Sequence, residues 1–158
     1  MREDTGIRPA SPRDAERVGL MISRLLGELH PDLSGQYGPE ATIATARRLL
    51  NDSAYAALLA IAPDGAIGGV VGLNECKAIY AHGAFGEIAE FYVEPDFRSE
   101  GVGGRLIDAA VMLGESRGWS MIEVGAPDVP RWQRTVDFYV RRGFVEVGPR
   151  SYRELSVG

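Results

Sequence analysis

Phe91-Tyr92-Val93-Glu94-Pro95-Asp96-Phe97-Arg98-Ser99-Glu100-Gly101-Val102-Gly103-Gly104 is the stretch on which the reading of this chain turns. An apolar, strand-like run stops at Pro95, which has no N–H to give to a sheet ladder. A glycine-rich turn follows, and a helix opens directly behind it. Val102, Leu106, Ile107, Ala110 and Leu113 recur at one-face helical spacing up to Gly118, a usual C-terminal stop. Glycines allow close backbone approach, and the free N–H groups of a helix start attract anions. With the charge of Arg98, the loop suits a pyrophosphate; a glycine-rich turn packed tightly on its own strand fits the same residues. A P-loop would need lysine and then serine or threonine after its last glycine, but Arg105-Leu106 stands there. A dinucleotide fingerprint begun at Gly101 would need a small residue at 106. What remains is Arg-x-x-Gly-x-Gly behind a strand ending in Val-x-Pro.

Upstream, Ile7–Ala10 reads as a short extended segment, and Ser11-Pro12-Arg13-Asp14 as a helix start. Val18, Met21, Ile22, Leu25, Leu26 and Leu29 form one helical face, closed by His30-Pro31. Residues 32–38 read as a loop. A second helix is expected over Pro39–Leu50, with Ile43, Ala46, Leu49 and Leu50 inward. Ala54–Ala62 is a strand by its length and breakers, although its alanine content also admits a helix. The Pro63-Asp64-Gly65 turn returns the chain as a strand over Ile67–Lys77, and a third strand runs from Phe85 to Val93. Downstream, Met121–Val124 is a short strand. A helix from Val129-Pro130 carries Trp132, Val136 and Tyr139 on one stripe and ends at Gly143. Phe144–Val147 and Tyr152–Leu155, around Gly148-Pro149, read as final strand material. An antiparallel run followed by alternating strands and helices predicts an α+β fold with a mixed, largely antiparallel central sheet flanked by helices.

The chain has 158 residues, which suits one domain over 1–158, and its 45% apolar content suffices for a single core. Its formal net charge is −5, and Lys77 is its only lysine. An acidic chain without a basic run argues against nucleic acid or an anionic membrane and is compatible with a cationic ligand. Cys76 is the only cysteine, so no internal disulfide and no thiolate metal cluster can form. No metal is expected. The first six residues are charged and turn-forming, without an apolar signal core, and the longest apolar run, Ala54–Ala62, is too short to span a membrane. A cytoplasmic location is the expectation.

The stretch Phe91–Gly103 resembles the acetyl-CoA motif of the GNAT N-acetyltransferase superfamily: a strand ending in Val-x-Pro, then Arg/Gln-x-x-Gly-x-Gly/Ala. Asp137-Phe138-Tyr139-Val140-Arg141-Arg142-Gly143-Phe144 is similar to that family's Phe-Tyr-x-x-x-Gly-Phe block. The two blocks stand in the expected order, and the resemblance runs over nearly the whole chain. It implies acetyl-CoA as donor. The backbone amides of Gly101, Val102, Gly103 and Gly104, helped by Arg98, would hold the pyrophosphate. The backbone of Tyr92 and Val93 would pair with the pantetheine arm and stabilise the developing oxyanion. Tyr139 would protonate the departing thiolate. Many relatives carry asparagine seven positions before this tyrosine; Trp132 stands there and would instead cover the ligand. A homodimer is a further family-level expectation.

Amide formation needs a neutral amine, and alkyl ammonium groups have a pKa of about 10.4, so a base must take a proton. The candidates are Glu87, Glu123 and Glu90, in that order. Ideal alternation puts residues 87 and 90 on opposite faces of their strand unless a bulge intervenes. The other reading of each is a solvated strand carboxylate or the partner of a buried arginine. Asp32, Tyr37 and Glu40 border the region where resembling proteins take the acceptor. His30, His82 and Cys76 lie apart from any ligand-spaced partner, so they read as turn, surface and buried residues. The expected activity is acetyl transfer to a primary amine by direct attack in a ternary complex, the acceptor a small cationic amine. The alternative is a non-catalytic acyl-CoA sensor or interaction module.

Overall fold

The computed structural model describes residues 4–125, 127, 129–148 and 150–156, without the side chains of residues 33, 34 and 36. The chain divides at Val124/Gly125 into two compact units. The first begins with β1 (Gly6–Pro9) and a 3-10 turn (Pro12–Asp14), followed by α1 (Ala15–Leu29). The expected loop after α1 is a 3-10 run over Pro31–Tyr37, begun by Pro31 at its first position. Then come α2 (Pro39–Leu49), β2 (Tyr55–Ile61), β3 (Ile67–Ala78), β4 (Gly83–Val93), a 3-10 turn (Pro95–Phe97), α3 (Val102–Ser116) and β5 (Ile122–Val124). The strands lie in sequence order, β1-β2-β3-β4-β5, antiparallel except for the parallel pair β4–β5.

The two faces of the sheet are covered by different helices. On one face Ala57 and Leu59 of β2, Val70 of β3 and Tyr92 of β4 form a buried cluster with Ala15, Val18 and Met21 of α1 and Ala46 of α2. Against the other face lies α3, whose Val102, Leu106, Ile107 and Ala110 are buried, as their spacing requires. Each of these valine, leucine and isoleucine side chains contributes about 1.5–3 kcal/mol when fully withdrawn from water. The entry to α1 is fixed locally: Asp14 accepts from the Ser11 N–H at 2.8 Å and from both terminal nitrogens of Arg8 at 2.9 Å. That bidentate pair holds the Asp14 carboxyl below the usual carboxylate range.

In the second unit, α4 (Gln133–Arg141) is the one helix among the described residues. It begins later than expected because Val129–Trp132 are turn residues, with Trp132 as the N-cap. The expected strands at Phe144–Val147 and Tyr152–Leu155 do not form: among the described residues these have no ladder partner, and Val145 and Val147 are 81% and 91% exposed. Alternating apolar residues specify a strand only when a partner edge accepts their backbone groups, and among the described residues none does. Pro149, part of the expected intervening turn, lies outside the described residues. Among the described residues no helix is long and apolar enough to cross a membrane.

Candidate active site

The geometry of the first unit turns on an irregularity in β4. Leu73 of β3 pairs with Ile88, but the next residue, Gly72, pairs with Glu90, leaving Ala89 as an extra residue. This bulge cancels the alternation that would separate Glu87 from Glu90. Glu90 lies opposite Gly72 and Glu87 opposite Asn74, and Gly72 and Asn74 share a face of β3. The row continues across the sheet, since Tyr55 of β2 pairs with Asn74 and Glu123 of β5 pairs with Glu87. All three candidate carboxylates therefore stand on one face, the one covered higher up by α1 and α2.

Each carboxylate receives a neutral donor. Glu90 Oε2 accepts from the Tyr55 hydroxyl at 2.8 Å. Glu87 Oε1 accepts from Asn74 Nδ2 at 3.3 Å, and Glu123 Oε1 from the Tyr80 hydroxyl at 2.8 Å. The Tyr80 ring packs against Phe85 at 5.9 Å. Burial pushes the Glu90 carboxyl above the ordinary carboxylate range; the Tyr55 hydrogen bond opposes that rise and the Glu87 charge adds to it. Burial, with the neighbouring Glu90 charge, raises Tyr55, so its hydroxyl stays a donor at every working pH. Tyr55, Asn74 and Tyr80 were not among the expected site residues. A tyrosine opening an alanine-rich strand and an asparagine two residues after Gly72 were the available signals.

The last β4–β5 pair, Ile88 with Val124, immediately precedes the bulge. Among the described residues, positions 90–93 therefore have a ladder partner only on the β3 edge. That half-open strand runs into the loop. The positive φ angles of Ser99 (65°) and Gly101 (78°) turn the chain sharply into α3. Gly101 is the N-cap in a left-handed conformation, and no side chain caps the helix. The first intrahelical bond there runs from the Arg105 N–H to the Gly101 carbonyl at 3.1 Å. The amides of Val102, Gly103 and Gly104 thus point out of the helix start, a fit for a phosphate group.

The Arg98 side chain is engaged within the protein. Its Nε donates to the Val93 carbonyl at 2.8 Å, its Nη2 to Glu28 Oε1 at 2.9 Å, and its guanidinium lies over the Tyr92 ring at 5.4 Å. Beside it, Arg24 holds Glu94 at 2.6 Å. These bonds fasten the end of β4 to α1. Asp32 and Glu40 are exposed, and the Tyr37 carbonyl accepts from the Ser23 hydroxyl at 2.7 Å. His30 and His82 are exposed, and Cys76 is partly buried.

In the second unit, Tyr139 is buried, with Phe138 and Phe144 edge-on at 5.6 and 5.5 Å. Burial pushes its phenol up to about 12, so it carries its proton throughout the neutral range. Trp132 is half-buried under the Arg131 guanidinium at 5.0 Å.

A cleft of about 440 Å³ lies on the opposite sheet face, between β1 and α3, lined by Ile7, Leu58, Arg105, Asp108 and Met112 among others. It contains neither the carboxylate row nor the uncapped amides, so volume does not decide between the two locations and chemistry does.

A carboxyl whose folded pKa is raised stabilises the fold below its unfolded pKa and loses that contribution as pH rises through the folded value. Glu90 is such a group. Glu90→Gln keeps an acceptor for Tyr55 and removes the titration. Its melting temperature, measured against pH, should gain on the parent as pH rises from the ordinary carboxylate range through the raised Glu90 midpoint, and then hold that gain. A difference that stays flat or shrinks with pH would contradict the burial described.

Comparison with known proteins identifies the family and the fold. The model of the acetyltransferase (GNAT) domain family matches residues 46–146. An uncharacterised N-acetyltransferase of Methanocaldococcus jannaschii is 39% identical over 62 residues, which are 38% of this chain and 26% of that protein. The matched stretch is thus about a quarter of the length of that curated relative. Among solved structures, an aminoglycoside acetyltransferase from an uncultured soil metagenomic sample superposes with a TM-score of 0.80 at 24% identity, over 97% of this chain and 99% of the other. An aminoglycoside N-acetyltransferase in complex with CoA gives a TM-score of 0.73 at 19% identity, over 97% and 95%. These superpositions speak for the fold, and the family model, extending over more than half of the sequence, shows that the chain belongs to the GNAT acetyltransferase family.

Proposed function

We propose that this protein transfers acetyl from acetyl-CoA to a primary amine of a small cationic acceptor, by direct attack in a ternary complex. One observation carries the reading: an uncapped, glycine-led helix start and three carboxylates with neutral donors adjoin the two ends of the same half-open strand. The first is an anion site and the second suits an ammonium group. Bound acetyl-CoA supplies the activated thioester.

The chain's own residues do the rest. The Val102, Gly103 and Gly104 amides, with that of Gly101, take the pyrophosphate, and the Tyr92–Val93 backbone offers its open edge to the pantetheine arm. Arg98, bonded to Val93 and Glu28, serves this site by fixing the loop rather than by reaching into it. Glu90 takes the proton from the acceptor's ammonium. Its burial and its raised proton affinity place it ahead of Glu87 and Glu123, which attract the cation. The freed nitrogen attacks the acetyl carbonyl carbon and gives up its second proton to solvent, so that the amide bond forms as the acetyl C–S bond breaks. Tyr139, matched by position to the family's second block, gives its proton to the sulfur and recovers one from solvent. Trp132, in place of the usual asparagine, is assigned to cover the ligand by the same correspondence.

Two measurements check this. Acetyl-CoA should raise the melting temperature, and free thiol should be released when a panel of diamines, aminoglycosides and peptides is added, fastest with the di- and polycations. Stabilisation without thiol release across the panel would show binding without transfer, and no binding would remove the reading altogether. Tyr139→Phe should lower kcat by about 10²–10⁴-fold, with the KM for acetyl-CoA little changed. An unchanged kcat would take the proton-donor role from Tyr139.

A further inference from the structure

The contact between Tyr55 and Glu90 crosses the intervening strand β3, and it exists because β3 supplies no side chain between them. Tyr55 is on β2 and Glu90 on β4; the residue between is Gly72, which pairs with Glu90 and also with Ala57. A Cβ on Gly72 would run into both the Tyr55 hydroxyl oxygen and Glu90 Oε2. Three strands thus build a socket in which one hydroxyl meets one carboxylate at 2.8 Å. Nothing in the family motif requires this arrangement, and both residues are at least half-buried.

Resting on the reading of Glu90 as proton acceptor, we infer that Tyr55 is a positioning residue whose hydroxyl, reaching across Gly72, holds the Glu90 carboxylate in its ionised, proton-accepting form and fixes its orientation through Oε2. A carboxylate taken from water beside another acid gains protons unless a donor favours the anion. The groups acting on Glu90 are known element by element. β2 contributes the Tyr55 hydroxyl and β4 the Glu87 charge, while β3 contributes Gly72 directly opposite. From α1, packed over β4, Arg17 and Arg24 go to Glu94, and Glu28 goes to Arg98, beyond the end of the strand. Among the described residues, the Tyr55 hydroxyl is thus the group that favours the anion. It is suited to that task because it does not itself ionise in the working range.

The test uses the full-length chain. Glu90 is followed by carbon-detected NMR of its side-chain carboxyl against pH, in the parent, in Tyr55→Phe and in Gly72→Ala. Thiol release is followed over the same pH range with the best amine of the panel. Tyr55→Phe keeps the ring and loses the donor. The Glu90 midpoint should move to higher pH in both variants. The acid limb of kcat should move with it, giving a loss of about tenfold at neutral pH that is recovered on the alkaline side. KM should change less than kcat. A merely structural role for Tyr55 would lower activity at all pH values and leave the limb in place. A Glu90 midpoint that is unmoved or falls in Tyr55→Phe overturns the inference. If the midpoint rises as expected but Glu90→Gln retains full activity, the tuning stands and the proton-acceptor reading of Glu90 is what fails.

Discussion

The extra residue at Ala89 governs where the chemistry of this protein can be placed. Over Gly86–Ile88, β4 is paired on both edges, with β3 and with β5; beyond the bulge, among the described residues, its pairing is with β3 alone. A bulge bends its strand and increases the local twist, and here it falls where the parallel partner stops. The same shift returns Glu90 to the face of Glu87 and Glu123. One local defect thus produces both a half-open backbone edge and a grouped set of carboxylates. Without it, strict alternation would send Glu90 towards α3 and the opposite core.

Around this point the sequence divides its charges. Arginines at the far end of β4 are bonded within the protein: Arg24 to Glu94, and Arg98 to Glu28 and the Val93 carbonyl. They fix α1 against the end of the strand, and the backbone amides of the helix start are the groups proposed to meet the anion. The carboxylates at the near end are held instead by hydroxyl and amide donors, which orient them without cancelling their charge. In the proposed function, a chain of net charge −5 thus carries a backbone anion site and an acidic floor near opposite ends of a short segment.

Much of this was legible in the residues themselves. The helices of the first unit follow from apolar spacing and their punctuation, so α1, α2 and α3 lie within one to three residues of expectation. The glycine loop after Val-x-Pro located the helix start because its signal is local. The sharing of a face by Glu87 and Glu90 could not be read, because it depends on register against β3, a property of two strands. The Tyr55–Glu90 contact joins residues 35 apart through the absence of a side chain at a third position, and no window of sequence contains all three. Arg98 was readable as a cation but not as one already partnered by Glu28, 70 residues away. The expected strands after Phe144 show the converse error: alternation was present and a pairing edge was not.

The most direct measurement is an amide-resolved NMR titration of the full chain with CoA. The amides of Val102, Gly103 and Gly104, and those of Tyr92 and Val93 on the open edge of β4, should show the largest and saturable shifts. Perturbations centred instead on the β1–α3 cleft, around Ile7, Asp108 and Met112, would contradict the account.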